Sequence, residues 1–168
     1  MNRLKRYTLA GIFFVSVIGT LSHFLYQLSG NSFLVGLFAP VGESTWEHIT
    51  LFFFPMLFYS LWMSVLLRKE EPGVISALAV GNLSGCALIP TIFYTYSGVL
   101  GFHLLSLDII TFLVSVLAAF ALALRLTPNG KVRKYEPVLV AVIALIAVLF
   151  FVFTYCPPDI GLFAEPGL

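Results

Sequence analysis

Five long apolar runs are the feature of this sequence that most constrains its fold. Each is close to the roughly 20 residues that an α-helix needs to cross the hydrocarbon core of a bilayer. The runs cover residues 8–28, 44–67, 74–96, 103–126 and 137–155. Only 10% of the residues are charged, against about 25% in soluble domains. The sequence therefore predicts one all-α polytopic membrane domain over residues 1–168, with five transmembrane helices.

Two segments near the N-terminus need separate interpretation. The first run follows Arg3, Lys5 and Arg6 and could be a signal peptide. We interpret it as a transmembrane helix, because it is long for a signal sequence and no A-x-A-like cleavage site follows it. Residues 33–43 are apolar but too few to span. We expect them to form an interfacial or re-entrant segment.

The basic residues predict an orientation in the membrane. All nine lie on one side of the five-span arrangement, near the N-terminus, at residues 68–69 and at residues 125–134. Basic loops usually stay in the cytoplasm. The protein is therefore predicted to lie in the plasma membrane with its N-terminus in the cytoplasm and its C-terminus outside the cell. So few charges form no basic face, which argues against nucleic-acid binding. Cys86 and Cys156 form no C-x-x-C pair, so neither a disulfide framework nor a thiolate zinc site is indicated.

Ionisable side chains gather in the predicted outer half of the helices. The group comprises His23, Glu43, Glu47, His48, His103, Asp108, Asp159 and Glu165, and it contains every histidine in the chain. With a rise of 1.5 Å per residue, His23 and Asp108 would lie about 7 Å below the outer helix ends. Ionisable groups at that depth are costly and are functional candidates.

A divalent-metal site is one interpretation of this group. The candidate ligands of zinc or another divalent cation are His23, His48 and His103. Imidazole and carboxylate ligands suit a zinc ion that keeps one position open for water. The candidate catalytic carboxylates are Glu43, Glu47 and Asp108. Glu43 and Glu47 would lie at i and i+4 on one helical face if the helix starts early enough, and one of them would act as the general base. Asp108 would orient a histidine ligand.

A purely structural interpretation stays open beside it. Ser44 to Glu47 fits the S-x-x-E capping box of a helix N-terminus, and Trp46 fits an aromatic residue of the membrane interface. A single histidine at an interface is often only hydrogen-bonded. This interpretation does not account for Glu43 or His48. It also leaves Asp108, two turns into a span, without the partner that a buried carboxylate normally needs.

Two groups of motifs resemble known families. The W-E-H block at residues 46–48, followed by L-F-F-F-P, and the P-P-x-x-x-L-F tail at residues 157–163 resemble a family of small bacterial integral membrane proteins known only as a domain of unknown function. That resemblance implies a membrane fold and no established activity. The family usually has asparagine where this chain has Gly42, so an amide contact is missing here.

A looser likeness is to zinc-dependent membrane hydrolases of the alkaline ceramidase and adipose-receptor type. Ser22, His23, His103 and Asp108 are similar to their serine, histidine and aspartate set. This chain has five predicted spans where those proteins have seven, and its spacings differ.

Three functions follow as hypotheses. The first is a metal-dependent hydrolase acting on a lipid-like substrate at the outer leaflet. The second is a transporter component whose outer cluster binds a cation or a proton. The third is a non-catalytic assembly or sensing protein. The expected partners are membrane lipids and a lipid-like or small cationic ligand at the outer face. The residues alone leave open whether the protein is an enzyme.

Overall fold

The computed structural model describes residues 2–165, and this part of the chain is helical with no strand. Its helices are α1 Arg3–Leu28, α2 Phe33–Gly36, α3 Thr45–Leu67, α4 Val74–Leu100, α5 Leu105–Asn129 and α6 Glu136–Tyr155, with a 3-10 turn at Arg133–Tyr135 before α6. Five helices are long and apolar enough to cross a membrane, which confirms the predicted all-α class. The first residue and the last three of the predicted domain lie outside the described residues.

The turn between α4 and α5 differs from the predicted boundaries. Helix α4 continues to Leu100, beyond the predicted end at residue 96, and α5 begins at Leu105. Gly101 ends α4 with φ of +79°, a left-handed conformation that glycine adopts without steric cost. His103 therefore lies in the turn before α5 and not within its first helical turn.

The start of α3 corrects a second expectation. Ser44 is the N-cap, and its side-chain oxygen accepts a hydrogen bond of 3.3 Å from the Glu47 N–H. Glu43 consequently lies outside the helix, so the predicted i, i+4 pairing of Glu43 and Glu47 on one helical face is wrong. The capping box is half formed, because the Glu47 carboxylate accepts from the Val41 N–H at 3.1 Å instead of from the N-cap.

Small residues of α4 allow close packing against its neighbours. A Cβ atom on Gly81 would lie 2.6 Å from the Ala119 carbonyl oxygen of α5, and one on Gly85 would lie 2.2 Å from the Phe52 ring of α3. Both distances are shorter than side-chain packing permits, so glycine is required for these helix pairs. Between them, Asn82 donates to the Phe53 carbonyl oxygen at 3.5 Å. The α3–α4–α5 interface is thus the centre of the bundle.

The outer helices α1 and α6 pack differently. A Cβ atom on Gly19 of α1 would lie 2.7 Å from the Leu51 carbonyl oxygen of α3 and 2.5 Å from the Phe112 ring of α5, so α1 lies directly against both. Helix α6 is peripheral, since only Ile143 and Phe150 are buried. Val138, Leu145 and Val148 are exposed on its outer side, as suits a helix surrounded by lipid.

The two ends of the bundle have opposite character. At one end, here called the basic end, Arg3 forms an ion pair with Glu70, and the α3–α4 turn lies close to the end of α5 through Gly73 and Thr127. The opposite end, here called the histidine end, contains α2, the α4–α5 turn and the segment after α6. The orientation of these ends in a membrane stays a prediction.

Candidate ligand-binding cavity

A cavity of about 400 Å³ opens at the histidine end, between α1, α3, α4, α5 and the segment after α6. Its ionisable lining residues are His23, Glu43, His48, His103, Asp108 and Glu165. Its apolar lining residues are Leu51, Ile89, Phe93, Leu105 and Phe112, with Thr45 and Thr111 beside them. All three predicted ligand histidines and two of the three predicted catalytic carboxylates therefore line one space, although they come from widely separated segments.

His23 reaches the cavity because α1 approaches α3 and α5 so closely. Gly19, the point of closest approach, lies one helical turn before His23 and on the same face. The imidazole Nε2 lies 3.7 Å from Glu43 Oε1. This separation is too long for a hydrogen bond, but it permits an electrostatic interaction when the imidazole is protonated.

The first turn of α3 fixes the orientation of His48. Its Nδ1 lies 2.9 Å from the Ser44 carbonyl oxygen. Since a carbonyl oxygen can only accept, Nδ1 carries the hydrogen. The other ring nitrogen, Nε2, lies 3.9 Å from Glu43 Oε2. The His23 and His48 ring centres are 6.2 Å apart, and Glu43 therefore has an imidazole beside each of its oxygens.

Asp108 forms a second polar group in the cavity lining. The Tyr96 hydroxyl donates to Asp108 Oδ1, and His103 Nδ1 lies 3.5 Å from Asp108 Oδ2. The carboxylate therefore has a histidine beside it, although Asp108 lies in the first turn of α5 and not two turns into the span as predicted. Tyr96 was not among the predicted site residues. Its position near the end of an apolar helix, where a phenol places a hydroxyl at the membrane interface, is the signal that could have identified it.

Glu47 and Ser22 lie outside the cavity. Glu47 is buried, and its carboxylate holds the loop before α3 through the Val41 N–H. Ser22 is also buried, and its hydroxyl donates to the Gly19 carbonyl oxygen of its own helix at 2.8 Å. Glu47 therefore acts on the cavity indirectly, by fixing the loop that carries Glu43.

The segment after α6 folds back over the histidine end. The Trp46 backbone N–H donates to the Leu162 carbonyl oxygen at 3.1 Å, and the Trp46 and Phe163 rings lie 4.9 Å apart. Tyr94 donates to the Gly161 carbonyl oxygen at 3.2 Å. The packing of the Leu162 side chain against the core and of Phe163 against Trp46 explains the L-F pair of the tail motif, and the folded tail brings Glu165 to the cavity wall.

The cavity lining is formally acidic. It contains three carboxylates, from Glu43, Asp108 and Glu165, and neither lysine nor arginine. A cavity lined by one sign of charge concentrates ions of the opposite sign, so this one favours cations. In the part of the chain that the structure describes, no three His, Cys, Asp or Glu side chains are already arranged to hold a metal ion.

Together, the helices and the cavity define a class of protein: an all-α protein with five helices long and apolar enough to cross a membrane and a histidine–carboxylate cavity at one end. The chain belongs to a family described as a family of unknown function (DUF6512), whose profile matches residues 1–166. This match confirms the resemblance to a domain of unknown function. No curated protein and no solved structure matches the chain, so the likeness to alkaline ceramidase-type hydrolases stays a hypothesis.

Proposed function

We propose that the cavity binds a small amphiphile with a positively charged head group, at what we predict to be the outer face of a plasma membrane. One observation carries the proposal. Three histidines and three carboxylates line a single cavity without a lysine or arginine among them. A ligand with a cationic head and a short apolar tail matches both the acidic and the apolar residues that line the cavity.

The size and the apolar walls of the cavity support a small-molecule ligand. Its volume of about 400 Å³ lies within the range of roughly 300–1,000 Å³ usual for such sites. Leu51, Ile89 and Phe112 line the same space as the polar groups. An apolar tail of the ligand would pack on them, while its head remained beside Glu43 and Asp108.

The charges favour a cationic head over an anionic one. Proteins usually recognise phosphate and carboxylate groups with arginine or lysine. Here all nine such residues lie near the N-terminus or at residues 68–69 and 125–134, away from the cavity lining. An ammonium group would instead find carboxylate partners in the cavity.

Binding to the protein in lipid nanodiscs tests the proposal. Titration calorimetry should show that hexyltrimethylammonium binds and that hexyl sulfate, with the same tail, does not. Glu43→Gln should weaken binding by roughly fivefold, since a half-exposed ion pair contributes up to about 1 kcal/mol. Glu70→Gln is the matched control at the basic end and should bind normally. Equal binding of both probes, or of neither, would refute the proposal.

A metal-dependent hydrolase is the second candidate, and the orientation of His48 favours it. Because Nδ1–H points to the Ser44 carbonyl oxygen, a neutral His48 directs the lone pair of Nε2 toward the Glu43 carboxylate. A proton, a cation or a water molecule can lie in the 3.9 Å between Nε2 and the carboxylate oxygen. A histidine that donates its other N–H to a backbone carbonyl is also the usual arrangement of a metal ligand.

The donor set on this side of the cavity fits zinc in kind. Two histidines and one carboxylate, here His23, His48 and Glu43, form a common catalytic zinc set, which would supply an activated water when the ion is bound. His103 lies beside Asp108 and could accept a proton during hydrolysis of a lipid-like substrate. In this revised set, His103 is not a metal ligand.

Elemental analysis of protein purified without chelators tests the metal. Wild-type protein should contain zinc or another divalent ion in a 1:1 ratio, His48→Ala should lose it, and His103→Ala should keep it. Absence of metal from wild type would refute this candidate and leave the amphiphile site standing. Cation flux in proteoliposomes would instead favour the transporter hypothesis. A protein that shows no binding, metal or flux would favour the assembly or sensing role.

A further inference from the structure

A second cavity of about 380 Å³ adjoins the first at the histidine end. It lies between the last turns of α4, the α4–α5 turn and the tail segment 161–165. The residues that line both cavities are Thr45, Phe93, His103 and Glu165. Because they share these four residues, the two spaces adjoin along one boundary, here called the neck.

Two glycines and an irregular segment line the second cavity. On the α4 side lie Gly98 and Gly101, and a Cβ atom added at either would meet nothing within 4 Å. On the other side lies the irregular tail, which contacts the bundle through Trp46 and Tyr94. The second cavity thus has open space on its α4 side, and His103 and Glu165 are among the residues at the neck.

We propose that the second cavity is the aqueous vestibule through which a cationic ligand reaches the first, with His103 and Glu165 as the selecting residues at the neck. The identity of the ligand rests on the proposed function, but the path itself does not. A carboxylate that lines a passage raises the local concentration of cations and their rate of passage, while it slows anions.

Thiol labelling tests the path without any ligand. The starting protein is Cys86→Ala/Cys156→Ser carrying Thr111→Cys, because Thr111 is buried and lines only the inner cavity. The probes are the charged methanethiosulfonates bearing a trimethylammonium or a sulfonate group. Both are confined to water, so they reach residue 111 only through an aqueous opening. The cationic reagent should react faster than the anionic one.

Two tryptophan variants in α4 then locate the opening. Gly98→Trp places a bulky ring in the vestibule and should suppress labelling at residue 111. Val99→Trp is the matched control, since Val99 is 81% exposed and lines neither cavity, and it should label at the normal rate. Ala164→Trp, on the tail side of the vestibule, repeats the test should Gly98→Trp fail to fold. Glu165→Gln should lower the ratio of cationic to anionic labelling rates severalfold.

Each result decides the proposal. Suppression by Gly98→Trp or Ala164→Trp, but not by Val99→Trp, supports the vestibule. Unchanged labelling in both vestibule variants, or no labelling of residue 111 in their absence, would overturn it. Because no amphiphile is used, failure here is distinct from a failure of hexyltrimethylammonium to bind.

Discussion

Two adjacent residues, Glu47 and His48, have separate tasks at the start of α3. Successive side chains of an α-helix point about 100° apart, so only one of the two can face the cavity. His48 lines it, while Glu47 is buried and accepts from the Val41 N–H. Glu47 thus holds the loop that places Glu43 between two histidines, although the Glu47 carboxylate itself does not line the cavity.

We predict that Glu47→Ala destabilises the protein more than Glu47→Gln. Alanine leaves the Val41 N–H without its partner, which costs about 1 kcal/mol in this part-buried position. The glutamine amide oxygen can still accept that hydrogen bond. The free energy of unfolding in detergent, measured for both variants, checks this. Equal stabilities would show that the Val41 contact contributes nothing.

At the residue scale, the sequence predicted some partners and missed others. The need of Asp108 for a partner was inferred from its predicted depth in an apolar run, because an unpaired carboxylate there is expensive; the structure instead places it in the first turn of α5. Tyr96 as that partner did not follow, since its contact depends on how far α4 continues and on how it pairs with α5. Glu43 lay outside the predicted helical face because the N-cap at Ser44 starts the helix after it.

Among the elements, α4 shows how small residues determine helix packing. Gly81 lies against the backbone of α5, whereas Gly98, further along the same helix, has open space around it. The difference follows from position, since the two glycines are chemically identical. Substitutions at the two glycines can therefore be compared to test the α4–α5 packing, with Gly98 as the control in the same helix.

We predict that Gly81→Ala destabilises the bundle and that Gly98→Ala does not. The added methyl group at residue 81 would lie 2.6 Å from the Ala119 carbonyl oxygen, and overpacking of this kind costs about 1–3 kcal/mol. At residue 98 the methyl group meets nothing, and alanine favours the helix. Thermal unfolding of the two variants against wild type measures the difference. An equally stable Gly81→Ala would contradict the described α4–α5 contact.

Helix existence was easier to predict than the connections between helices. Each long apolar run must satisfy its backbone groups internally in lipid, which leaves the helix as the solution for a single run. The 33–43 segment has no such constraint, and only Phe33–Gly36 of it is helical. The contact between the tail and Trp46 could likewise not be predicted, because aromatic packing there joins residues far apart in sequence.

For the whole molecule, the separation of charge between the two ends is the dominant feature. The nine lysines and arginines lie near the N-terminus or at residues 68–69 and 125–134, while all three histidines line the cavity at the other end. Basic residues resist translocation, so the histidine end should face outward.

We therefore predict that Lys131→Cys is shielded from an impermeant thiol reagent in intact cells and that Asp159→Cys is labelled. Both single-cysteine variants would carry Cys86→Ala and Cys156→Ser. Labelling after permeabilisation serves as the control for Lys131→Cys. The reverse pattern would invert the orientation and place the cavity in the cytoplasm.

The most direct test of the central claim uses the histidines as reporters. The chain has three histidines, and all of them line the cavity. In protein labelled only at histidine, nuclear magnetic resonance therefore observes the cavity and nothing else. Titration with hexyltrimethylammonium should shift all three side-chain signals with one dissociation constant, and hexyl sulfate should leave them unchanged. Saturation with the cation without movement of any histidine signal would contradict the account.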